Sequence, residues 1–215
     1  NAAFLGLQLA AEASSPQEAQ NLNTKIADYF VDSLLITELN EWISSKVIER
    51  EQQSLSLKNQ IIETTRKISD SEKKIEALKV IVKKYPEAAR MEQRQVVSLD
   101  KAGERFMSPM AQIVANEASV VDWRQELFTL QRKHRQLDIA HDFYAKAAES
   151  LTKTRSGKRL FTNLLDIQNE VFTKKELTDE VAIEAANLVA LELETRRRTY
   201  FQDFRFISAP SLPTK

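Results

Sequence analysis

Residues 57–84 read LKNQIIETTRKISDSEKKIEALKVIVKK. Ile61, Ile68, Ile75 and Val82 recur every seven residues, and Leu57, Thr64, Ser71 and Leu78 hold the complementary position. Such a row is narrower than the apolar stripe of a globular helix and has the period of a coiled-coil seam. No Gly or Pro occurs between residues 17 and 85. The spacing predicts one helix through the whole run, roughly 100 Å long at the usual rise per residue. No compact core is that wide.

A second segment carries the same period. Ile113, Val120, Leu127, His134, His141 and Ala148 alternate with Trp123, Leu130, Leu137, Tyr144 and Leu151. Residues 44–84 and 110–151 are nearly equal in length, so an antiparallel hairpin is the economical pairing. Its seam is expected to contain Ile61, Ile68, Ile75, Val82, Leu127, Leu130 and Leu137. Its tip is expected at residues 85–108, where Val96, Val97 and Leu99 fit either a short strand or a cover over the hairpin end.

The helix boundaries follow from local chemistry. Ser15, Pro16 and Glu18 form a capping box with Pro at the first helical position, and Ser108-Pro109 repeats the start signal. Tyr85-Pro86 stops the first helix after Lys83 and Lys84. Arg155-Ser156-Gly157 reads as a C-cap of the second. A third helix is expected from Lys158 to about Lys174, with Leu160, Leu164, Ile167 and Val171 on one stripe. A fourth should open at Thr178 and end near Tyr200. Val181, Ala182, Ile183, Ala185, Ala186, Leu188, Val189, Ala190, Leu191 and Leu193 make it apolar nearly all round, as for a helix covered on two sides.

Both ends read as strands: Phe4, Leu5, Leu7 and Leu9 before Ser14, and Phe204, Phe206 and Ile207 before Pro210. The expected fold class is α+β, predominantly α. A long hairpin over 41–155 stands on a small α/β base made of 1–40 and 156–215, whose mixed sheet is formed from the terminal strands. The base is expected to bury Phe4, Leu7, Val189 and Phe206, with the fourth helix between the sheet and the first helix. Two strands make a marginal sheet. Partner strands are therefore expected from sequence before Asn1 or from another subunit, and a chain that opens on Asn1 reads as a fragment of something longer.

Little in the chain points to catalysis. Lys plus Arg equals Asp plus Glu at 31 each, so no overall charge argues for nucleic acid or an anionic surface. Zero cysteines exclude disulfides, thiol nucleophiles and thiolate metal sites. No apolar run approaches the roughly 20 residues of a membrane span. His134 and His141 are the only histidines; two turns separate them, roughly 10 Å, too far to share one ion. With Asp138 they supply a single Asp-x-x-His pair, where a di-iron bundle needs two such motifs and more carboxylates. They read as seam residues. No phosphate-loop, GxGxxG, GxSxG or HExxH pattern occurs. Catalytic, cofactor and metal residues are therefore expected to be none. Arg196, Arg197 and Arg198, with Arg205 nearby, are the one candidate anion contact, weighed against a solvated last turn. Trp42 and Trp123 fit packing better than sugar platforms.

Residues 202–213, Gln-Asp-Phe-Arg-Phe-Ile-Ser-Ala-Pro-Ser-Leu-Pro, join an aromatic stretch to a stiff Pro-x-x-Pro. This resembles the segment just before the second transmembrane helix of the Wzz-type polysaccharide co-polymerases, the chain-length determinants of bacterial surface polysaccharides. Phe4–Ala13 followed by Ser15-Pro16-Gln17-Glu18-Ala19 is similar to that family's strand leading into its long helix. Arg105-Phe106-Met107-Ser108-Pro109 is similar to the turn before its descending helix. The resemblance implies a periplasmic domain of a bacterial inner-membrane protein, anchored by helices outside this chain and without an enzymatic role. It implies a ring-like homo-oligomer that sets the modal length of O-antigen or a related polymer, with the polymerase and lipid-linked glycan as partners. Of the family's features only Pro210 and Pro213 carry over, as a membrane-proximal motif. The other reading is a coiled-coil envelope adaptor or tether in export machinery. Such adaptors usually insert their hairpin into Gly-rich β domains, and this chain has three Gly.

Overall fold

The computed structural model describes residues 9–87, 108–173 and 179–203. They form α1 (Pro16–Lys84), α2 (Pro109–Lys153), α3 (Gly157–Thr173) and α4 (Glu180–Asp203). The 69 residues of α1 are one unbroken helix. Its start is set by Ser15, whose Oγ accepts from the Glu18 amide at 3.3 Å. Ser108 does the same for α2, accepting from the Ala111 amide at 3.2 Å beside Pro109. Asp179 caps α4 through the Val181 amide at 3.2 Å. The helix starts are thus decided by short-range capping of amides that no carbonyl can reach.

The chain divides into two compact units, residues 53–135 and residues 1–52 with 136–215. The first is the hairpin unit. Ile68, Ile75 and Leu78 of α1 and Ile113 and Val120 of α2 are buried together, with Val82, Trp123 and Leu127 packed against them. Leu130 is buried as well. Thr64, Ser71 and Asn116 are buried polar residues on the same faces. Asn116 meets its need locally, donating from Nδ2 to the Gln112 carbonyl at 2.6 Å.

The second unit, the base, draws its core from all four helices. Leu39, Ile43, Ala140, Phe143, Tyr144, Ala147, Leu160, Leu164, Val189 and Leu193 form one buried cluster. Phe143 and Tyr144 pack edge to face, with ring centroids 5.0 Å apart, and Trp42 meets Tyr144 edge-on at 5.8 Å.

The expected α/β base with a mixed sheet is not what forms. Among the described residues there is no strand: residues 9–13 are irregular, and α4 runs through Tyr200 to Asp203. The remaining residues assigned to the two strands, Phe4, Leu5, Leu7, Phe204, Phe206 and Ile207, lie outside the described residues. The base instead closes by helix packing, in which the apolar faces of α1 to α4 bury one another.

Two local expectations also change. The fourth helix is covered chiefly along Val181, Ala182, Ala185, Val189 and Leu193, while Leu191 is 67 % exposed. Gly157 is not a C-cap, because α2 ends at Lys153 and Gly157 opens α3. It is glycine because α1 passes against it. A Cβ there would lie 2.7 Å from the Asp32 carbonyl oxygen, the Ile36 nitrogen and the Leu35 Cβ.

Candidate functional site

The hairpin seam is the candidate site, and cross-helix ion pairs give its direction. Arg124 donates to Glu72 at 2.7 Å, and Lys79 stands 3.9 Å from Glu117. Seven residues forward on α1 correspond to seven residues back on α2, so the helices are antiparallel. The same count explains why heptad positions on both helices reach one seam.

The structure places the seven seam residues as follows. Ile68, Ile75 and Leu130 are buried, and Ile61, Val82, Leu127 and Leu137 are half-buried. Val82 and Leu127 pack on the cluster of Ile68, Ile75, Leu78, Ile113 and Val120. The polar members Thr64, Ser71 and Asn116 interrupt the apolar layers, a device that favours one register over its neighbours at a cost in stability. His134 sits at the seam edge with Nε2 3.2 Å from the Ser54 Oγ. Among the described residues no group of three His, Asp or Glu side chains could hold a metal ion.

In the base, one carboxylate gathers donors from two helices. Glu192 of α4 accepts from Arg50 at 3.2 Å and from Lys46 at 3.3 Å, both on α1. Its other oxygen accepts from the Tyr144 hydroxyl on α2. Burial, and then the Glu192 carboxylate, push the Tyr144 phenol well above its ordinary range. The Arg50 guanidinium also lies over the Tyr144 ring, 5.6 Å from its centroid. This arrangement ties three helices together. Sequence reading missed it because Arg50 falls in the seam phase of α1 and Glu192 interrupts an apolar run, and their 142-residue separation hides the pairing.

The arginine cluster does not converge on one point. Arg197 and Arg198 both turn to Glu194, at 2.9 and 3.0 Å, and hold its carboxyl below the usual range, Arg198 most strongly. Arg196 instead lies over the Trp42 ring at 5.7 Å. Trp42 is buried in the base core and Trp123 packs on the hairpin seam, so both are packing residues. A half-open cleft of about 160 Å³ lies between Leu35, Lys158, Phe161, Arg197 and Tyr200. Burial and the nearby Asp32 and Asp28 raise the Tyr200 phenol. Pro210 and Pro213, the membrane-proximal motif, lie outside the described residues.

No described helix is long and apolar enough to cross a membrane. Comparison with protein-family models, curated proteins and solved structures finds no match to this chain.

Proposed function

We propose that this chain is a non-enzymatic regulator of bacterial surface-polysaccharide chain length, acting as a homo-oligomeric scaffold on the periplasmic side of the inner membrane. The observation that carries the reading is the antiparallel hairpin unit, with its seam through Ile68, Ile75 and Val120 and its direction marked by Glu72–Arg124 and Lys79–Glu117. Such a unit offers a stiff surface of fixed length, which is what a geometric regulator requires. The polysaccharide assignment rests on the segment at residues 202–213 and on the two Ser-Pro helix starts. Its partners on this reading are a second copy of itself, the polymerase and the lipid-linked glycan. The base of this scaffold is helical, built by α1 to α4.

The test is genetic and biochemical. The full-length gene is deleted in its source organism, and the lipopolysaccharide or capsule ladder is compared on a gel before and after complementation. Loss of a modal band on deletion, and its return on complementation, is the expected result. An unchanged ladder together with failure of an export process would favour the adaptor reading and sink this one.

A further inference from the structure

The hairpin unit carries a second apolar row on each helix, outside the seam. On α1 it consists of Leu55 (62 % exposed) and Ile62 (66 %), and on α2 of Val114 (59 %), Val121 (64 %) and Phe128 (60 %). The α2 row recurs every seven residues and the two α1 residues are one such interval apart; each member directly follows a seam-phase residue: Ser54, Ile61, Ile113, Val120 and Leu127.

Both rows lie on the same side of the hairpin. Glu72, Lys79, Glu117 and Arg124 each stand four residues after a seam residue, and they pair across the helices. Those pairs mark one edge of the seam. A residue one after the seam position and a residue four after it are three apart, hence neighbours on a helix surface. By the register of those pairs Val114, Val121 and Phe128 stand level with Val82, Ile75 and Ile68, and Ile62 with His134, so the two apolar rows follow one another along that edge, the α2 row first and the α1 row after it.

The surroundings of the rows are basic. Lys58, Arg66, Lys73, Lys79, Arg124 and Arg132 occupy the positions beside them, against Glu72, Glu76 and Glu117; Arg124 pairs with Glu72, Lys79 with Glu76 and Glu117, and Arg66 with Asp70, so bases outnumber acids six to four along this side. The α1 row gives way to Ser69 and Glu76, and the α2 row to Arg135. The charge balance of the chain hides this. Residues 53–135 hold 16 Lys and Arg against 11 Asp and Glu, a net +5, and the base holds the opposite excess.

We propose that this side of the hairpin is the docking face for an acidic amphipathic α-helix of a partner protein, which lies along α1 and α2 and completes a three-helix layer. The seven-residue period is what a helix needs in order to seat its apolar face repeatedly, whereas a bilayer imposes no such period. The local positive charge selects acidic flanks, and it disfavours a second copy of the same hairpin, which carries the same +5. This inference holds whichever polymer or process the protein serves.

The test uses the whole 215-residue chain and two labelled 28-residue helical peptides, each with Leu at both seam positions. One carries Glu at the flanking positions and the other Lys, and binding is read by fluorescence anisotropy. The acidic peptide is expected to bind at least tenfold more tightly than the basic one, and to weaken as salt rises. Ile62→Ser with Val121→Ser, both at exposed positions, should reduce that binding at least tenfold while leaving the circular dichroism unchanged. Equal binding of the two peptides, or no binding of either, would overturn the proposal. So would a dimer in sedimentation that the double variant dissolves, or a preference for phosphatidylglycerol vesicles over the acidic peptide.

Discussion

Arg124 donates to the Glu72 carboxylate at 2.7 Å across the hairpin, yet both side chains are about half exposed. Exposed pairs of this kind contribute about 0–1 kcal/mol. The pair therefore reports the direction of the helices without supplying much of their stability, which comes from the buried layers beside it. Arg124→Ala should lower unfolding free energy by less than about 1 kcal/mol, whereas Ile75→Ala, at a 6 % exposed position, should cost about 2–5 kcal/mol. Urea denaturation of the two variants against the parent checks the ratio.

Gly157 gives a prediction of opposite sign to helix propensity. An exposed helical Gly replaced by Ala ordinarily gains up to about 1 kcal/mol. Here the new methyl would meet α1 backbone at 2.7 Å, so Gly157→Ala should destabilise the base by about 1–3 kcal/mol. Thermal unfolding decides it, since a rise in Tm would show that α1 and α3 do not approach so closely.

The Glu192 knot should respond asymmetrically. Glu192→Ala leaves Arg50, whose side chain is 8 % exposed, buried without its carboxylate and should cost about 3 kcal/mol. Replacing both partners by apolar residues, as in Arg50→Met with Glu192→Leu, should cost much less than the two single changes added together. A double-mutant cycle in urea measures the difference.

Tyr144 adds a dependence on pH. Its phenol is held protonated by burial and by Glu192, so its folded pKa lies above the ordinary value near 10. Above that ordinary value the unfolded chain releases the proton and the folded chain keeps it. The unfolded state then binds fewer protons, and stability falls as pH rises through and beyond 10. Below pH 9 the contribution is fully present. In Tyr144→Phe the loss of Tm between pH 9 and pH 11 should be smaller than in the parent.

How far the sequence discloses this molecule depends on the range of the forces involved. The seam row of Ile61, Ile68, Ile75 and Val82 and the caps at Ser15 and Ser108 are local patterns, and they predict α1, α2 and their pairing directly. Alternation over four to six residues is too short to separate a strand from an irregular segment, and among the described residues the N-terminal stretch at residues 9–13 is irregular. Gly157 looks like a cap because it follows Arg155 and Ser156, and only the approach of α1 from more than 120 residues away shows its reason. Glu192 is hidden in the same way. The exposed positions Leu55, Ile62, Val114, Val121 and Phe128 go unread in the sequence, because only burial separates them from the seam.

Under the proposed function the geometry of the hairpin sets polymer length. Removing one heptad from each helix, Lys58–Thr64 and Leu127–Lys133, in the full-length protein separates this from every other role. Both cuts lie on the same side of Glu72–Arg124 and Lys79–Glu117, so the seam phase and those pairs survive while the hairpin shortens by roughly 10 Å. The modal polysaccharide length is then read from the glycan ladder of cells carrying only this variant. A shifted mode at normal protein abundance is the expected result, and an unchanged mode would rule out the hairpin as the determinant of length.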